Sequence, residues 1–252
     1  STERSVVALG MFDGVHLGHR VLLKKAHVLA QRFDAPMVVQ TFADHPLRLI
    51  RPEAVPPMLT TLDERVKLIE QQGADIFCGE HFSTEMRDTP PADFIGQLVR
   101  RWHPAAVVVG FNHTFGRKGE GTPAMLAAVG QALGFETYVV PEIDYDGEAV
   151  SSTRIRKLLT EGQAAEAAKL LARPYTRQAE LAAREGGVCR LICTPNGKQN
   201  LAQGRYRALL DDGARRFPVN VRVLDDDKLR CALPENVELR SELTFHYLSE
   251  IA

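Results

Sequence analysis

The chain has 252 residues, of which 44% are hydrophobic and 25% are charged, proportions that suit a globular protein of one large domain or two moderate ones. Its formal net charge of −1 gives no global reason to expect nucleic acid or a membrane surface as a partner. No apolar run approaches the ~20 residues of a membrane-spanning helix and no signal-peptide pattern opens the chain, so a cytoplasmic location is expected. The four cysteines form no C-x-x-C pair and show no zinc spacing, which predicts buried thiols.

A turn near the N terminus combines glycines with two histidines. Residues 6–9 predict a buried strand, and residues 21–33 carry apolar side chains at helical spacing. Between them the sequence reads Gly10-Met11-Phe12-Asp13-Gly14-Val15-His16-Leu17-Gly18-His19. The backbone N–H groups and the positive dipole end at a helix start favour a phosphate, and His16 and His19 are spaced to contact the same anion. The alternative is that the histidines only cap the helix.

Strands and helices alternate through the next hundred residues. Apolar runs predict strands at 36–42, 74–78, 105–110 and 136–140, and helical spacing predicts helices at 62–72, 90–101 and 123–133. This alternation predicts an α/β fold with a doubly wound parallel sheet, which binds ligands at the carboxyl ends of its strands.

Two loops follow predicted strands at that edge. Ala43-Asp44-His45-Pro46 follows the strand at 36–42, and His45 is either a nucleotide contact or a solvated loop histidine. The loop at 111–122 contains glycines, two cations and small polar groups. It is either part of a ligand site or a flexible surface loop with two buried phenylalanines, Phe111 and Phe115.

A second anion site is expected at residues 150–156. Ser151, Ser152 and Thr153 precede a helix that continues through residue 159, and hydroxyls at a helix start together with arginines suit a bound phosphate. Arg154 and Arg156 are two positions apart and point to different sides, so we expect Arg154 at the phosphate and Arg156 in a salt bridge. The alternative is a plain N-cap.

The last third predicts a small antiparallel β domain. After an acidic loop at 141–149 and a helix at 163–171, helical spacing fades near residue 184. Short strands are predicted at 188–194, 205–210, 217–224, 229–233 and 237–248, with turn signals between them.

Several motifs resemble those of a known family in the family's order. His16-x-Gly18-His19 resembles the HxGH motif of the nucleotidyltransferase superfamily, and with Phe12-Asp13-Gly14 ahead of it looks like the FMN adenylyltransferase module of the bifunctional riboflavin kinase/FAD synthetase family. The loop at 41–46 is similar to T-F-x-P-H-P, with Asp44 where a proline is usual, and the segment at 59–65 to L-T-x-x-x-E-K. Residues 110–122 resemble G-x-N-x-x-F-G followed by G-x-G-T, residues 151–156 resemble S-S-T-x-I-R, and residues 171–175 resemble L-G-R-P-Y.

The resemblance implies a Rossmann-like nucleotidyltransferase domain at 1–175 and a β domain at 176–252. The implied reaction transfers AMP from ATP, with Mg²⁺, to FMN and gives FAD and pyrophosphate, and no protein ligand to the metal is expected. The implied catalytic residues are His16, His19 and Arg154. The implied ATP-binding residues are Gly10, Phe12, Asp13, Gly18, Ser152 and Thr153. The implied FMN-binding residues are Asn112, Thr114, Phe111, Phe115 and His45.

The family carries a riboflavin kinase barrel where the β domain lies. The kinase signature G-x-P-T-A-N is missing from residues 176–252, so riboflavin kinase activity is not expected, and the domain is either a barrel that has lost its active site or an unrelated β appendage. Two other functions stay open: a nucleotidyltransferase for a different phosphorylated acceptor, and a non-enzymatic flavin- or nucleotide-binding regulator. The sequence leaves the oligomeric state open.

Overall fold

The computed structural model describes residues 4–225, 227–233 and 242–251, and it divides into two compact units. The first comprises Ser1–Pro56 and Leu62–Ala149, and the second comprises Pro57–Thr61 and Val150–Ala252. No helix of the described residues is long and apolar enough to cross a membrane.

The first unit alternates strands with helices, as the sequence predicts. Its elements are β1 Ser5–Leu9, α1 Leu17–Phe33, β2 Met37–Phe42, α2 Leu47–Ile50, α3 Leu62–Glu70, β3 Ile76–Glu80, α4 Thr84–Asp88, α5 Pro91–Trp102, β4 Pro104–Gly110, α6 Pro123–Leu133, β5 Glu136–Val140, β6 Asp144–Tyr145 and β7 Glu148–Ala149. The acidic segment predicted as a loop is wrong in part, because β6 and β7 pair as a short hairpin around Asp146 and Gly147, both at positive φ.

The five longer strands form a parallel sheet in the order β3-β2-β1-β4-β5. The chain runs outward from β1 in one direction and then from β4 in the other, so the order reverses between these two central strands. The predicted doubly wound sheet is confirmed. In such sheets ligands bind beside the carboxyl ends of the strands at the reversal, which places the turn after β1 and the loop after β4 at the expected position.

The sheet is buried on both faces because its strand residues alternate between two cores. On one face Val6, Ala8, Ala106 and Val108 pack with the apolar side of α1. On the other face Val7, Leu9, Val107 and Val109 pack with side chains of α5 and α6, among them Ile95, Leu98 and Leu126. Burial on both faces explains why these strands read as continuous apolar runs.

The second unit contains two helices and a closed antiparallel barrel. Its elements are α7 Ser152–Thr160, α8 Ala164–Leu171, β8 Tyr175–Glu185, β9 Val188–Cys193, β10 Gly204–Asp211, β11 Arg216–Val223, β12 Lys228–Ala232 and β13 Glu242–Ile251. The barrel order is β10-β11-β12-β9-β8-β13, and β13 pairs with β10 to close it. The predicted antiparallel β domain is confirmed; of the predicted strand at 237–248, residues 237–241 lie outside the described residues.

Strand β8 was not expected from the sequence. The Ala- and Glu-rich stretch at 178–185 favours a helix by intrinsic propensity, yet it pairs with β13 on one side and β9 on the other. Pairing on both sides outweighs local propensity here. The barrel therefore begins at Tyr175, inside the nucleotidyltransferase domain boundary implied by the resemblance, and the compact units divide the chain still earlier, after Ala149.

The Asn-Gly pair in the turn at Thr194–Gly197 suggests a hairpin connection, but the turn is not one. It joins β9 to β10, and these strands are not neighbours in the barrel. Instead Thr194 N–H donates to the carbonyl of Gln178 at 2.9 Å, so the segment leaves β9 while still attached to β8.

The barrel interior contains a buried arginine and three of the cysteines. Arg177, 3% exposed, donates to the carbonyls of Lys198 and Gln199 at 3.2 Å each and pairs with Asp227 at 3.1 Å. All four cysteines are free and buried, which confirms the prediction. Cys189 and Cys231 stand opposite each other on β9 and β12, and burial raises the pKa of Cys231 to about 12.

Candidate functional site

The turn after β1 has an unusual backbone path. Phe12 and Val15 adopt φ of 52° and 42°, and Gly14 between them has φ of 82°. Val15 N–H donates to the carbonyl of Phe12 at 3.1 Å, and both side chains are fully buried. Left-handed backbone at two bulky residues is sterically costly, and it persists because burial of the two side chains fixes the turn.

His16 and His19 form a stacked pair at the start of α1. Their ring centroids are 3.6 Å apart with an interplanar angle of 18°, and the edge of Phe12 meets His19. His16 is the N-cap: its Nδ1 accepts the backbone N–H of His19 at 3.4 Å. His16 therefore caps the helix through Nδ1, as the alternative interpretation of the histidines expects. Because Nδ1 accepts, the proton of the neutral ring lies on Nε2, which acts as a donor.

Close packing around the histidines requires glycine at two positions. A Cβ at Gly18 would lie 3.3 Å from Cε1 of His16, and a Cβ at Gly10 would lie 3.0 Å from the ring of Phe12. Larger residues would displace the rings that define the turn. The helix begins at Leu17, earlier than the predicted residue 21, because the His16 cap supplies an acceptor to the first turn.

The electrostatics of the turn favour a bound anion. Burial is the main cause that lowers the pKa of His19 well below its ordinary value, and His16 and Arg65 lower it further. Nδ1 of His19 is buried and has no hydrogen-bond partner among the described residues. A neutral imidazole with an unused nitrogen at a helix N-terminus suits hydrogen bonding to phosphate oxygens.

Arg65 is a site residue that the sequence analysis missed. It lies on α3 with 1% exposure, and it donates from Nη1 to the carbonyl of Met11 at 3.0 Å and from Nη2 to that of Ala43 at 2.8 Å. Thr41 Oγ1 also donates to the carbonyl of Met11, at 3.0 Å. The turn after β1 and the loop after β2 are thus held by one cation. The L-T-x-x-x-E-K resemblance, with Arg65 at its last position, was the available signal.

The loop after β2 is ordered by local contacts. His45 Nδ1 accepts the backbone N–H of Leu47 at 3.2 Å, at the start of α2. Asp44, which replaces the usual proline, contacts His81 and pairs with Arg48 at 3.1 Å. Where the family motif has a rigid proline, this chain therefore has Asp44 and its contacts with His81 and Arg48. The role of His45 at a ligand stays a prediction.

The loop after β4 is partly buried and partly exposed. Phe115 is 6% exposed, packs in the core under the loop and stacks on Phe94 at 5.1 Å. Asn112, Thr114 and the ring of Phe111 are exposed at the strand edge. Phe115 can shape a pocket only from beneath, whereas the other three side chains can contact a ligand directly.

His113, in the same loop, is a further residue that the sequence analysis passed over. Burial lowers its pKa to about 4, and its Nε2 has no hydrogen-bond partner among the described residues. Gly121 closes the loop: its N–H donates to the carbonyl of Phe115 at 2.8 Å, and a Cβ there would lie 2.4 Å from the Phe115 ring. The loop is therefore fixed at its base, which argues against the alternative of a flexible surface loop.

The second predicted anion site is the start of α7, in the second unit. Ser151 is the N-cap and accepts the backbone N–H of Arg154 at 3.1 Å, so the helix begins at Ser152. Arg156 donates from Nε to the carbonyl of Pro57 at 2.7 Å. This contact gives Arg156 a backbone acceptor, and its expected salt bridge stays a prediction.

Among residues 4–225, 227–233 and 242–251, no group of three or more His, Cys, Asp or Glu side chains could hold a metal ion. The ring of His19 meets the edge of Phe12, and the charge of Arg65 lowers the pKa of His19. The donor set is that of an anion site.

Comparison with known proteins shows the family of this chain. The family model for FAD synthetase matches residues 1–154, which include every motif of the sheet edge and the start of α7. The chain belongs to the FAD synthetase family. Its relatives include a "Bifunctional riboflavin kinase/FMN adenylyltransferase" of Listeria monocytogenes, 36% identical over 68% of this chain and 54% of the relative. A protein of the same name from Escherichia coli is 30% identical over 69% of this chain and 56% of the relative.

The chain matches only about half the length of these relatives. One solved structure, titled as a macrolide-efflux protein from Streptococcus pneumoniae, covers 100% of this chain and 87% of its own with a TM-score of 0.87. At 23% identity this likeness shows the fold alone. It extends over the barrel as well as the parallel sheet.

Proposed function

We propose that the chain transfers AMP from ATP to FMN, giving FAD and pyrophosphate. The observation that carries the proposal is the stacked pair of His16 and His19 at the N terminus of α1, beside the reversal of a doubly wound sheet, in a member of the FAD synthetase family. The names of the relatives support the same acceptor.

The reaction needs no covalent intermediate on the protein. An oxygen of the FMN phosphate attacks the α-phosphorus of ATP, a new P–O bond forms, and the bond to the β-phosphate oxygen breaks to release pyrophosphate. The protein must bring two polyanions together and stabilise the charge that grows on the equatorial and leaving oxygens.

The histidine pair is proposed to bind the phosphates of ATP and the transition state. His16 donates from Nε2, because its Nδ1 is used by the backbone. Neutral His19 becomes easier to protonate when a triphosphate binds, because an adjacent negative charge raises its pKa. The turn that receives ATP is formed by Gly10, Phe12, Asp13 and Gly18.

The start of α7 is proposed to bind the leaving pyrophosphate through Ser152, Thr153 and Arg154. Hydroxyls, helix N–H groups and a guanidinium are all suitable donors to phosphate oxygens. On the acceptor side, Asn112 and Thr114 are proposed to orient the FMN phosphate, with Phe111, Phe115 and His45 around the flavin.

Mg²⁺ is proposed to arrive with ATP. With no cluster of metal-binding side chains among the described residues, the ion keeps phosphate and water ligands, as Mg²⁺ commonly does. When bound, it neutralises part of the phosphate charge.

The nucleotidyltransferase function is assigned to residues 1–175, and residues 176–252 are not expected to phosphorylate riboflavin. The kinase signature is missing, and Phe217-Pro218-Val219-Asn220 lies within β11, as the sequence predicted. The cytoplasmic location stays a prediction.

The test is to incubate the purified chain with ATP·Mg²⁺ and FMN and to follow FAD and pyrophosphate by chromatography. Parallel arms replace ATP with CTP, FMN with other phosphorylated acceptors, and FMN with riboflavin. FAD formation supports the proposal. Transfer only to another acceptor would indicate a different nucleotidyltransferase, and binding without turnover would indicate a regulator. FMN formed from riboflavin at a comparable rate would contradict the expected loss of kinase activity.

A further inference from the structure

Four arginines lie in register across the outer face of the barrel. Arg205 on β10 stands opposite Arg222 on β11, and Arg222 stands opposite Arg230 on β12. Arg230 in turn stands opposite Arg190 on β9. All four side chains are exposed. We term this set the arginine row.

The arginine row is expected to lower the stability of the barrel. Like charges directly opposite each other destabilise a sheet, and here the arrangement repeats at three successive strand pairs. Arg190 has a partner in Glu185, 2.6 Å from its Nη2. Within the part of the chain that the structure describes, no ion pair joins Arg205, Arg222 or Arg230 to a carboxylate. Glu180, on the neighbouring strand β8, stands opposite Ile192 and not opposite an arginine of the row.

Overall basicity does not explain the row. Residues 175–252 contain twelve Lys and Arg and eleven Asp and Glu, so this part of the chain is nearly neutral. The positive charges are concentrated by position, and Arg207 and Lys228 extend the same face. A concentrated row on a nearly neutral domain fits a discrete acidic partner better than general attraction to polyanions.

The composition of the face separates a protein partner from a nucleic acid. Val188 and Ile192 flank Arg190 on β9 and are 38% and 49% exposed. On the described outer face from β9 to β10 no aromatic ring is present, whereas single-stranded nucleic acid is bound by stacking on aromatic rings. Arginine is enriched at protein interfaces, and its guanidinium pairs with carboxylate in a bidentate manner.

We propose that the arginine row is a docking surface for a segment of another protein that carries carboxylates next to aliphatic side chains. Neighbouring strands lie about 4.8 Å apart, so the row spans about 14 Å. Alternate residues of an extended peptide repeat at about 6.7 Å, so about three carboxylates of one strand-like segment meet the row. An aliphatic residue at the end of the carboxylate run, on the same side of the segment, covers Val188 and Ile192.

The test measures binding of a fluorescein-labelled peptide of about eight residues that has glutamate at three alternate positions, leucine at the fourth and serine between them, long enough to span the row. Fluorescence anisotropy is followed with the full chain and with the R222Q/R230Q variant, which removes all three Arg–Arg pairs. We expect binding that weakens with salt and is at least about tenfold weaker in the variant. The matched control is K67Q/R100Q, which makes the same charge change on α3 and α5 and is expected to bind as the parent does.

Comparison probes identify the partner class. The same peptide with glutamine in place of glutamate, a single-stranded oligonucleotide of equal charge and vesicles containing phosphatidylserine are titrated in parallel. Tighter binding of the oligonucleotide or the vesicles than of the acidic peptide would overturn the proposal. Self-association of the parent that disappears in R222Q/R230Q would also overturn it, because the occupant would then be a second copy of this chain.

A stability measurement supplies a readout besides binding. If the row is kept for docking at the expense of the fold, R222Q/R230Q raises the Tm by about 2 °C or more, whereas K67Q/R100Q does not. Loss of peptide binding together with a higher Tm supports the proposal. Unchanged peptide binding in R222Q/R230Q would overturn it whatever the Tm.

Discussion

Arg65 donates from Nη1 to the carbonyl oxygen of Met11 at 3.0 Å, and its other terminal nitrogen reaches the carbonyl of Ala43 at 2.8 Å. Burial is the main cause that lowers the pKa of Arg65, and Asp13 and Asp44 oppose it. An arginine stays protonated in proteins, so a permanent buried charge fixes the two loops on which His16 and His45 lie.

The first prediction is that Arg65→Met lowers the free energy of unfolding by about 2–4 kcal/mol, because two buried carbonyls lose a charged donor. We expect kcat for FAD formation to fall by about tenfold or more, because the histidine turn is no longer held. Arg65→Lys is intermediate, since an ammonium cannot present two parallel donors. Urea denaturation and steady-state kinetics measure these effects.

Arg100→Met, at an exposed position of α5, is the matched control and is expected to change neither quantity. A second readout separates positioning from bulk stability: removing the Arg65 charge raises the pKa of His19, which NMR titration measures. Full activity of Arg65→Met would contradict the assignment.

The second prediction separates capping from catalysis at His16. His16→Ala removes both the N-cap acceptor and the Nε2 donor, whereas His16→Asn keeps an acceptor for the His19 N–H. We expect His16→Ala to lose about 1 kcal/mol of stability and His16→Asn to lose little. Both are expected to lose on the order of a hundredfold in kcat, as is His19→Ala.

Thermal unfolding and single-turnover kinetics on the same preparations make this comparison. If His16→Asn retains the activity of the parent, the histidine only caps the helix. If all three variants turn over normally, the HxGH assignment is wrong.

The sheet could be predicted from sequence because its determinants are local. Strand β4 is a continuous apolar run. The histidines lie within one helical turn of each other, and the His16 cap that starts α1 depends only on this local spacing. Strand β8 could not, because its pairing with β9 and β13 depends on contacts distant in sequence. The same holds for the hairpin of β6 and β7, whose acidic residues suggest only a loop.

The site shows the same division. His16, His19 and the hydroxyls before Arg154 follow from spacing and from motif resemblance. Arg65 lies four positions after Thr61 in a helix rich in charged residues, where an arginine usually faces solvent. Only the folded structure shows that it is buried against two carbonyls. The burial of His113 likewise depends on how its loop packs.

The third prediction concerns the two arginines of α7. Arg156→Ala removes the donor to the Pro57 carbonyl and is expected to cost about 1 kcal/mol of stability with a small effect on turnover. Arg154→Ala is expected to raise the KM for ATP and to lower kcat, because a charged donor to phosphate is lost. Denaturation curves and ATP titrations of FAD formation measure both. The reverse pattern would assign the phosphate to Arg156.

The fourth prediction is a loss of stability in mild acid that depends on His113. Its folded pKa is about 4, below the ordinary 6.5, because burial disfavours the charged ring. Between these values the unfolded chain binds a proton that the native chain does not, so the free energy of unfolding falls as the pH drops from 6.5 towards 4. The full effect of this residue is at most about 3 kcal/mol, and His19, whose pKa is also lowered, contributes with the same sign.

His113→Leu removes the titrating ring and its buried nitrogen without a partner, so the variant should lose less stability than the parent on acidification. Urea denaturation at pH 7 and at pH 5 gives the two differences, and His27→Leu, at a half-buried position of α1, is the control for a general change in histidine content. At pH 7, where His113 is already neutral, the two folded states differ in packing and in the buried nitrogen, not in charge. Equal acid sensitivity in the parent and in His113→Leu would show that the ring is accessible to protons in the native state, and would remove the argument that this loop is closed at its base.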